Sequence, residues 1–214
     1  MRLLFASGNP HKLDEVRAIL VPLGIHVDGL DGAGAAIAEP EEDGATFAEN
    51  ARIKAIAYAR ATGRACLADD SGLEVDALGG APGVRSARYA GIGATRAARD
   101  AANNEKLLRE LAGVDPSRRT ARFVCAMCLA SPAGRTLHET RGTFEGVVAD
   151  APRGANGFGY DPLLWLSDRG CTSAELSTGE KNARSHRGAA ARAMAEWIRR
   201  HGVHVDSHSI PPGA

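Results

Sequence analysis

This chain has no charge surplus, no long apolar run and few cysteines, and each shortage excludes a class of function. Its 214 residues carry 26 Lys and Arg against 26 Asp and Glu. The basic excess expected of a protein that tracks a nucleic-acid backbone is missing, so any phosphate is held locally. No stretch approaches the roughly 18 consecutive apolar residues needed to cross a bilayer. The opening MRLLFASGNPHK reaches Gly8, Asn9 and Pro10 after too few apolar residues for a secretory signal. These absences predict a cytoplasmic protein with neither nucleic acid nor membrane as partner.

Of the four cysteines, Cys125 and Cys128 have CxxC spacing, but no second CxxC or His pair completes a zinc site. RFVCAMCLA reads instead as an apolar strand, in which positions three apart face opposite sides of a sheet. Buried structural thiols are the expectation. No internal repeat or linker divides the chain, and 44% hydrophobic content over this length supports one sizeable core. We expect one domain over residues 1–202 and a poorly ordered tail over 203–214, which contains Pro211-Pro212-Gly213.

The most informative segment is ADDSGLEVDALGGAPGVRSARYAG, from Ala68 to Gly91. The apolar run Ala65-Cys66-Leu67-Ala68 reads as a buried strand that delivers Asp69 and Asp70 to its carboxyl end, where open α/β sheets place ligands. Two such close acids resist ionising together, which favours a bound cation. Asp-Ser-Gly is also ordinary turn chemistry.

Upstream, Arg2 to Ala6 reads as a strand that breaks at Ser7-Gly8-Asn9-Pro10, and Lys12 to Leu23 carries apolar residues at helical spacing. A strand, tight loop and helix present hydroxyls, backbone N–H groups and a helix N-terminus to an anion, with Lys12 adding charge. The acidic run EPEED, Glu39 to Asp43, precedes Thr46-Phe-Ala-Glu49, which fits a capping box opening a helix through about Thr62. Asn50 and Lys54 then share one helix face, and Lys54 points to phosphates or to solvent.

A helix is expected from Thr95 to about Leu111, then a hairpin of Arg122 to Ala130 and Thr136 to Ala149 joined through Pro132-Ala133-Gly134. RGANGFGYDPLLW follows, with Phe158 and Tyr160 among glycines before Asp161. It reads as a loop that lays a ring against a ligand beside a carboxylate, or as a core plug. In ELSTGEKNARSHRG, the groups Lys181, His186 and Arg187 gather near a helix opening, the reverse of the usual placement of positive charge, and this favours an anionic or polar ligand.

Taken in order, SGNPHK with Glu15, EEDGATFAENARIKA, LADDSGLEVDALGGAPGVRSARYAG, GFGYDP and ELSTGEKNARSHRG resemble the motifs of the Ham1-type inosine triphosphate pyrophosphatases, over about Leu3 to Trp197. The resemblance implies an α/β fold with a mixed sheet and flanking helices. It further implies an elongated two-lobed single domain with the active site in the cleft between lobes. The implied activity is Mg²⁺-dependent hydrolysis of inosine, deoxyinosine and xanthosine triphosphates to monophosphate and pyrophosphate by a homodimer.

By that resemblance, Ser7, Gly8, Asn9, Pro10, His11 and Lys12 hold the triphosphate with Lys54. Asp70 is the general base and a metal ligand, Glu41 (or its neighbour Glu42) the second ligand, and Ser71 a substrate contact. Phe158, Gly159, Tyr160 and Asp161 wall the nucleoside pocket, which Lys181, His186 and Arg187 complete. Asn156 stands where many relatives have glycine. Two other readings remain: a Maf-like pyrophosphatase of modified nucleotides, which SHRG and GFGYDP argue against, and a non-catalytic nucleotide-binding module.

Overall fold

The computed structural model describes residues 1–33 and 37–203. Its strands are β1 (Arg2–Phe5), β2 (His26–Asp28), β3 (Cys66–Val75), β4 (Thr120–Ala130), β5 (Thr136–Val148), β6 (Leu164–Leu166) and β7 (Cys171–Thr172). They form one mixed sheet in the order β2-β1-β3-β4-β5-β6-β7. β1 pairs in parallel with β2 and β3, and the remaining pairs are antiparallel. Among the described residues five α-helices flank it: α1 (Pro10–Leu20), α2 (Phe47–Thr62), α3 (Arg96–Glu110), α4 (Thr178–Arg184) and α5 (His186–His201). None of the described helices is long and apolar enough to cross a membrane.

The expected starts of α2 and α3 form, and Asn9, read in the sequence only as part of the tight loop, adds a third cap. Asn9 caps α1, Thr46 and Glu49 form a reciprocal capping box on α2, and Thr95 caps α3. α1 is shorter than its apolar spacing predicts, because a 3₁₀ turn at Val21–Leu23 takes over where Pro22 cannot donate to the helix ladder. β2, β6 and β7 are too short to carry a periodic signal. The tail over 204–214 lies outside the described residues, whereas Val203 packs on the core.

Strand alternation sorts the long strands into two cores on opposite faces. Leu3, Phe5, Leu67, Cys125, Met127 and Leu129 pack with α1 and α5, while Leu4, Cys66, Ala68, Val124, Ala126 and Cys128 pack with α2. Cys125 and Cys128 therefore point apart, and all four cysteines are free. Burial pushes the Cys66 thiol up to about 12, which makes it unreactive at neutral pH.

A third core gathers at the other end of the same strands, from Leu73, Val75, Phe123 and Phe144 with Leu107 and Leu111 near the end of α3. β3 thus spans both ends of the molecule, and this corrects the expected strand end: Asp69 and Asp70 sit within it. Pairing with β1 stops at Phe5 opposite Leu67, and the next bonds on that edge are Leu73 N–H to Ser86 Oγ at 2.9 Å and Val75 N–H to Ala81 O at 3.2 Å. Between them β3 has an open edge, and the cleft forms there. Gly72 is required beside it, since a Cβ would collide with the Ser86 side chain.

Candidate active site

A cavity of about 390 Å³, within the range of small-molecule sites, wraps the open edge of β3 at Asp70, Ser71 and Gly72. Because it lies at an edge, it receives side chains from both faces of the sheet.

On the α2 face, Asp70 accepts from Asn50 Nδ2 at 3.1 Å and lies 3.7 Å from Lys54 Nζ. Asn50 is fixed in turn by the Gly44 N–H, at 2.9 Å. Burial raises the Asp70 pKa, although Lys54 and Lys12 oppose it. On the α1 and α5 face, Asp69 is wholly buried against Lys12 Nζ at 3.1 Å and Arg187 Nε at 3.2 Å. Burial alone would raise its pKa too, but the Lys12 and Arg187 charges hold it well below the usual carboxylate range. The two acids therefore have different direct cationic partners among the described residues, Lys12 and Arg187 for Asp69 and Lys54 for Asp70. Alternation sends them to opposite faces, and Asp69 already has its counter-charges.

The first loop holds its expected shape. Asn9 Oδ1 accepts from His11 N–H at 3.1 Å, Ser7 Oγ accepts from Asn9 N–H at 3.2 Å, and Asn9 Nδ2 is buried without a protein partner. An unpaired buried donor beside a helix N-terminus and Lys12 fits a phosphate. Ser7, Gly8, Asn9 and Lys12 line the cavity; Pro10 and His11 do not. Pro10 starts α1, and His11 stacks on Phe158 with ring centroids 5.6 Å apart.

The acidic run is also redistributed. Glu41 is exposed and away from the cavity, whereas Glu39 and Glu42 line it, and Glu42 accepts from Lys54 at 2.9 Å. Lys54 lies between Glu42 and Asp70, the position a cation would take. Among the described residues no group of three potential ligands could by itself hold a metal. Mg²⁺ needs only one or two carboxylates when substrate phosphates complete its shell, so Asp70 with Glu42 fits such an ion.

The aromatic loop divides its roles. The Phe158 ring faces the cavity, with Lys181 at 5.1 Å and Arg96 at 5.2 Å from its centroid. Tyr160 is mainly the plug, buried in the third core with its hydroxyl donating to Ser86 O at 2.9 Å. Asp161 is no free acceptor, because its oxygens take Phe158 N–H at 2.8 Å, Lys181 Nζ at 2.5 Å and Ser173 Oγ at 2.7 Å. Asn156 donates to Leu176 O at 3.0 Å, tying down the loop where a glycine would leave it freer.

Arg187 is internal scaffolding as well as lining. Beyond Asp69 it bonds Glu15 and, at 2.8 Å, Ser71 Oγ, and Glu15 also pairs with Lys181 at 3.2 Å. His186 stacks on Phe123 with centroids 5.0 Å apart, and burial with the nearby Arg187 and Lys181 charges keeps the ring neutral. Its Nδ1 is buried without a partner. Gly142 permits this placement, since a Cβ there would strike the His186 carbonyl. Sequence reasoning missed Arg96 and Asp100 as lining residues. Solvated helix and loop positions carry the same residue types, and only the fold brings them to the cleft.

The sequence model of the Ham1 family matches residues 3–197. A dITP/XTP pyrophosphatase of an Exiguobacterium species is 51% identical over 199 residues, covering 92% of this chain and 97% of the relative. The dITP/XTP pyrophosphatase of Nitratidesulfovibrio vulgaris is 51% identical over 91% of this chain and 94% of its own length. Among solved structures, a HAM1 protein from Coxiella burnetii superposes with a TM-score of 0.82 at 41% identity, covering 94% of this chain and 99% of that one.

Proposed function

This chain belongs to the Ham1 family, and on that footing we propose that it hydrolyses the non-canonical purine triphosphates ITP, dITP and XTP to monophosphate and pyrophosphate, as a cytoplasmic, homodimeric, Mg²⁺-dependent enzyme. Relatives named dITP/XTP pyrophosphatase support the substrate class. One observation carries the reaction: Asp70, a carboxylate whose pKa burial raises, stands at the cavity between the lysine-bearing first loop and Lys54.

In this reading the triphosphate lies along Ser7, Gly8, Asn9 and Lys12, with Lys54 on its other side. Asp70 orients a water and takes its proton as the oxygen attacks the α-phosphorus; the α-β anhydride bond breaks and pyrophosphate leaves. A base near its working pKa contributes at least about 10²-fold. Asp70 and Glu42 are the residues that would hold a Mg²⁺ ion here, and such an ion would supply neutralisation of the charge on the leaving group. The purine stacks on Phe158. Its 6-oxo acceptor meets donors of the His186-Arg187 stretch, where the 6-amino donor of adenine would leave donor against donor, a mismatch that can discriminate by roughly 10⁴.

The test is pyrophosphate release from ITP, dITP, XTP and ATP, each with and without Mg²⁺. Metal-dependent release confined to the first three is expected, and release from none of them overturns the proposal. Sedimentation at micromolar concentration tests the dimer; a species of the 22.3 kDa chain mass contradicts it.

A further inference from the structure

Arg96, Asp100 and Asn104 recur every four residues along α3 and so form one stripe on its surface. All three meet the aromatic loop. Arg96 lies 5.2 Å from the Phe158 ring centroid, Asp100 Oδ2 accepts from the Gly159 N–H at 3.0 Å, and Asn104 Nδ2 donates to the Gly159 carbonyl at 3.0 Å. The two side chains thus grip both backbone polar groups of one residue, as a neighbouring strand would. Gly159 has a φ of 63°, a left-handed conformation with little intrinsic preference to hold the loop in place.

The gripping helix is itself anchored. Leu107 is buried in the third core with Leu111 just beyond the helix, and Asn103 ties α3 to the segment beside β3 by donating to Ser86 O at 3.1 Å and accepting from Ala90 N–H at 2.7 Å. The Phe158 ring is therefore located relative to Asp70 through α3. We infer that Asp100 and Asn104 are positioning residues which, acting through Gly159, fix the Phe158 ring where the nucleobase stacks. This deepens the reading above and rests on it.

The experiment compares steady-state ITP hydrolysis by the wild type, Asp100→Ala, Asp100→Asn and Asn104→Ala, alone and combined with Phe158→Ala. Asp100→Ala and Asn104→Ala should each raise KM about five-fold, the effect of one hydrogen bond, with kcat within about two-fold, because ground-state and transition-state stacking are lost together. Asp100→Asn keeps an acceptor for the Gly159 N–H and should restore the KM that Asp100→Ala loses. With Phe158→Ala already present, Asp100→Ala should change KM no further, whereas a merely structural role would still show. An unchanged KM in both alanine variants, or an undiminished Asp100→Ala effect without the ring, overturns the inference while leaving the pyrophosphatase reading intact. A wild type that turns over no ITP overturns both.

Discussion

Asp69 and Asp70 are neighbours in sequence and face opposite sides of β3, so that one carboxylate is wholly buried between Lys12 and Arg187 while the other meets the cavity beside Asn50 and Lys54. Alternation along a strand gives the two identical side chains opposite tasks. Asp69 neutralises interior cations, and Asp70 is left as the acid available for chemistry.

Asp70→Asn should lower kcat at least about 10²-fold while leaving a folded protein. Because burial disfavours the Asp70 charge, a neutral isostere should change unfolding stability by no more than about 1 kcal/mol. Retention of more than about a tenth of wild-type kcat would remove the general-base role.

Asp69→Ala should behave in the opposite way and cost about 3–5 kcal/mol in urea unfolding, since it leaves the buried Arg187 short of a partner. The folded pKa of Asp69 lies below its unfolded value, so the stabilisation is fully present above the unfolded pKa of about 3.9 and is lost as pH falls through the folded value. Wild-type stability should drop on acidification below about pH 4, and Asp69→Asn should show a shallower fall. Parallel pH profiles would contradict the assignment.

Glu42→Gln should raise the Mg²⁺ concentration needed for half-maximal turnover, because Glu42 reaches the Lys54 and Asp70 cluster. Glu41→Gln should leave it unchanged, since Glu41 is exposed and outside the cavity. A metal titration of both variants checks this, and the reverse order would return the ligand role to Glu41.

Phe158→Ala should raise KM for purine triphosphates more than it lowers kcat, with inorganic pyrophosphate inhibition unaltered. An unchanged KM would take the ring out of the base site.

Much of the local structure was legible because its causes are local. The capping box at Thr46 and Glu49, the Thr95 cap and the β4-β5 hairpin all follow from short-range chemistry, and each forms. The motifs also named most of the cavity lining. What could not be read was the choice between adjacent or similar residues. Glu41 and Glu42 differ by one position in an irregular segment without periodicity, and Tyr160 and Phe158 differ in whether the third core or the cleft claims the ring. The extent of β3 was also hidden, since Asp-Ser-Gly favours a turn locally and only pairing with β4 across all ten of its residues holds it extended.

The most direct test of the account is turnover of ITP in ¹⁸O-labelled water, with mass analysis of both products. Attack at the α-phosphorus by a water held at Asp70 predicts that the label appears in the monophosphate and not in pyrophosphate. Label in pyrophosphate, or release of unlabelled monophosphate, would contradict it.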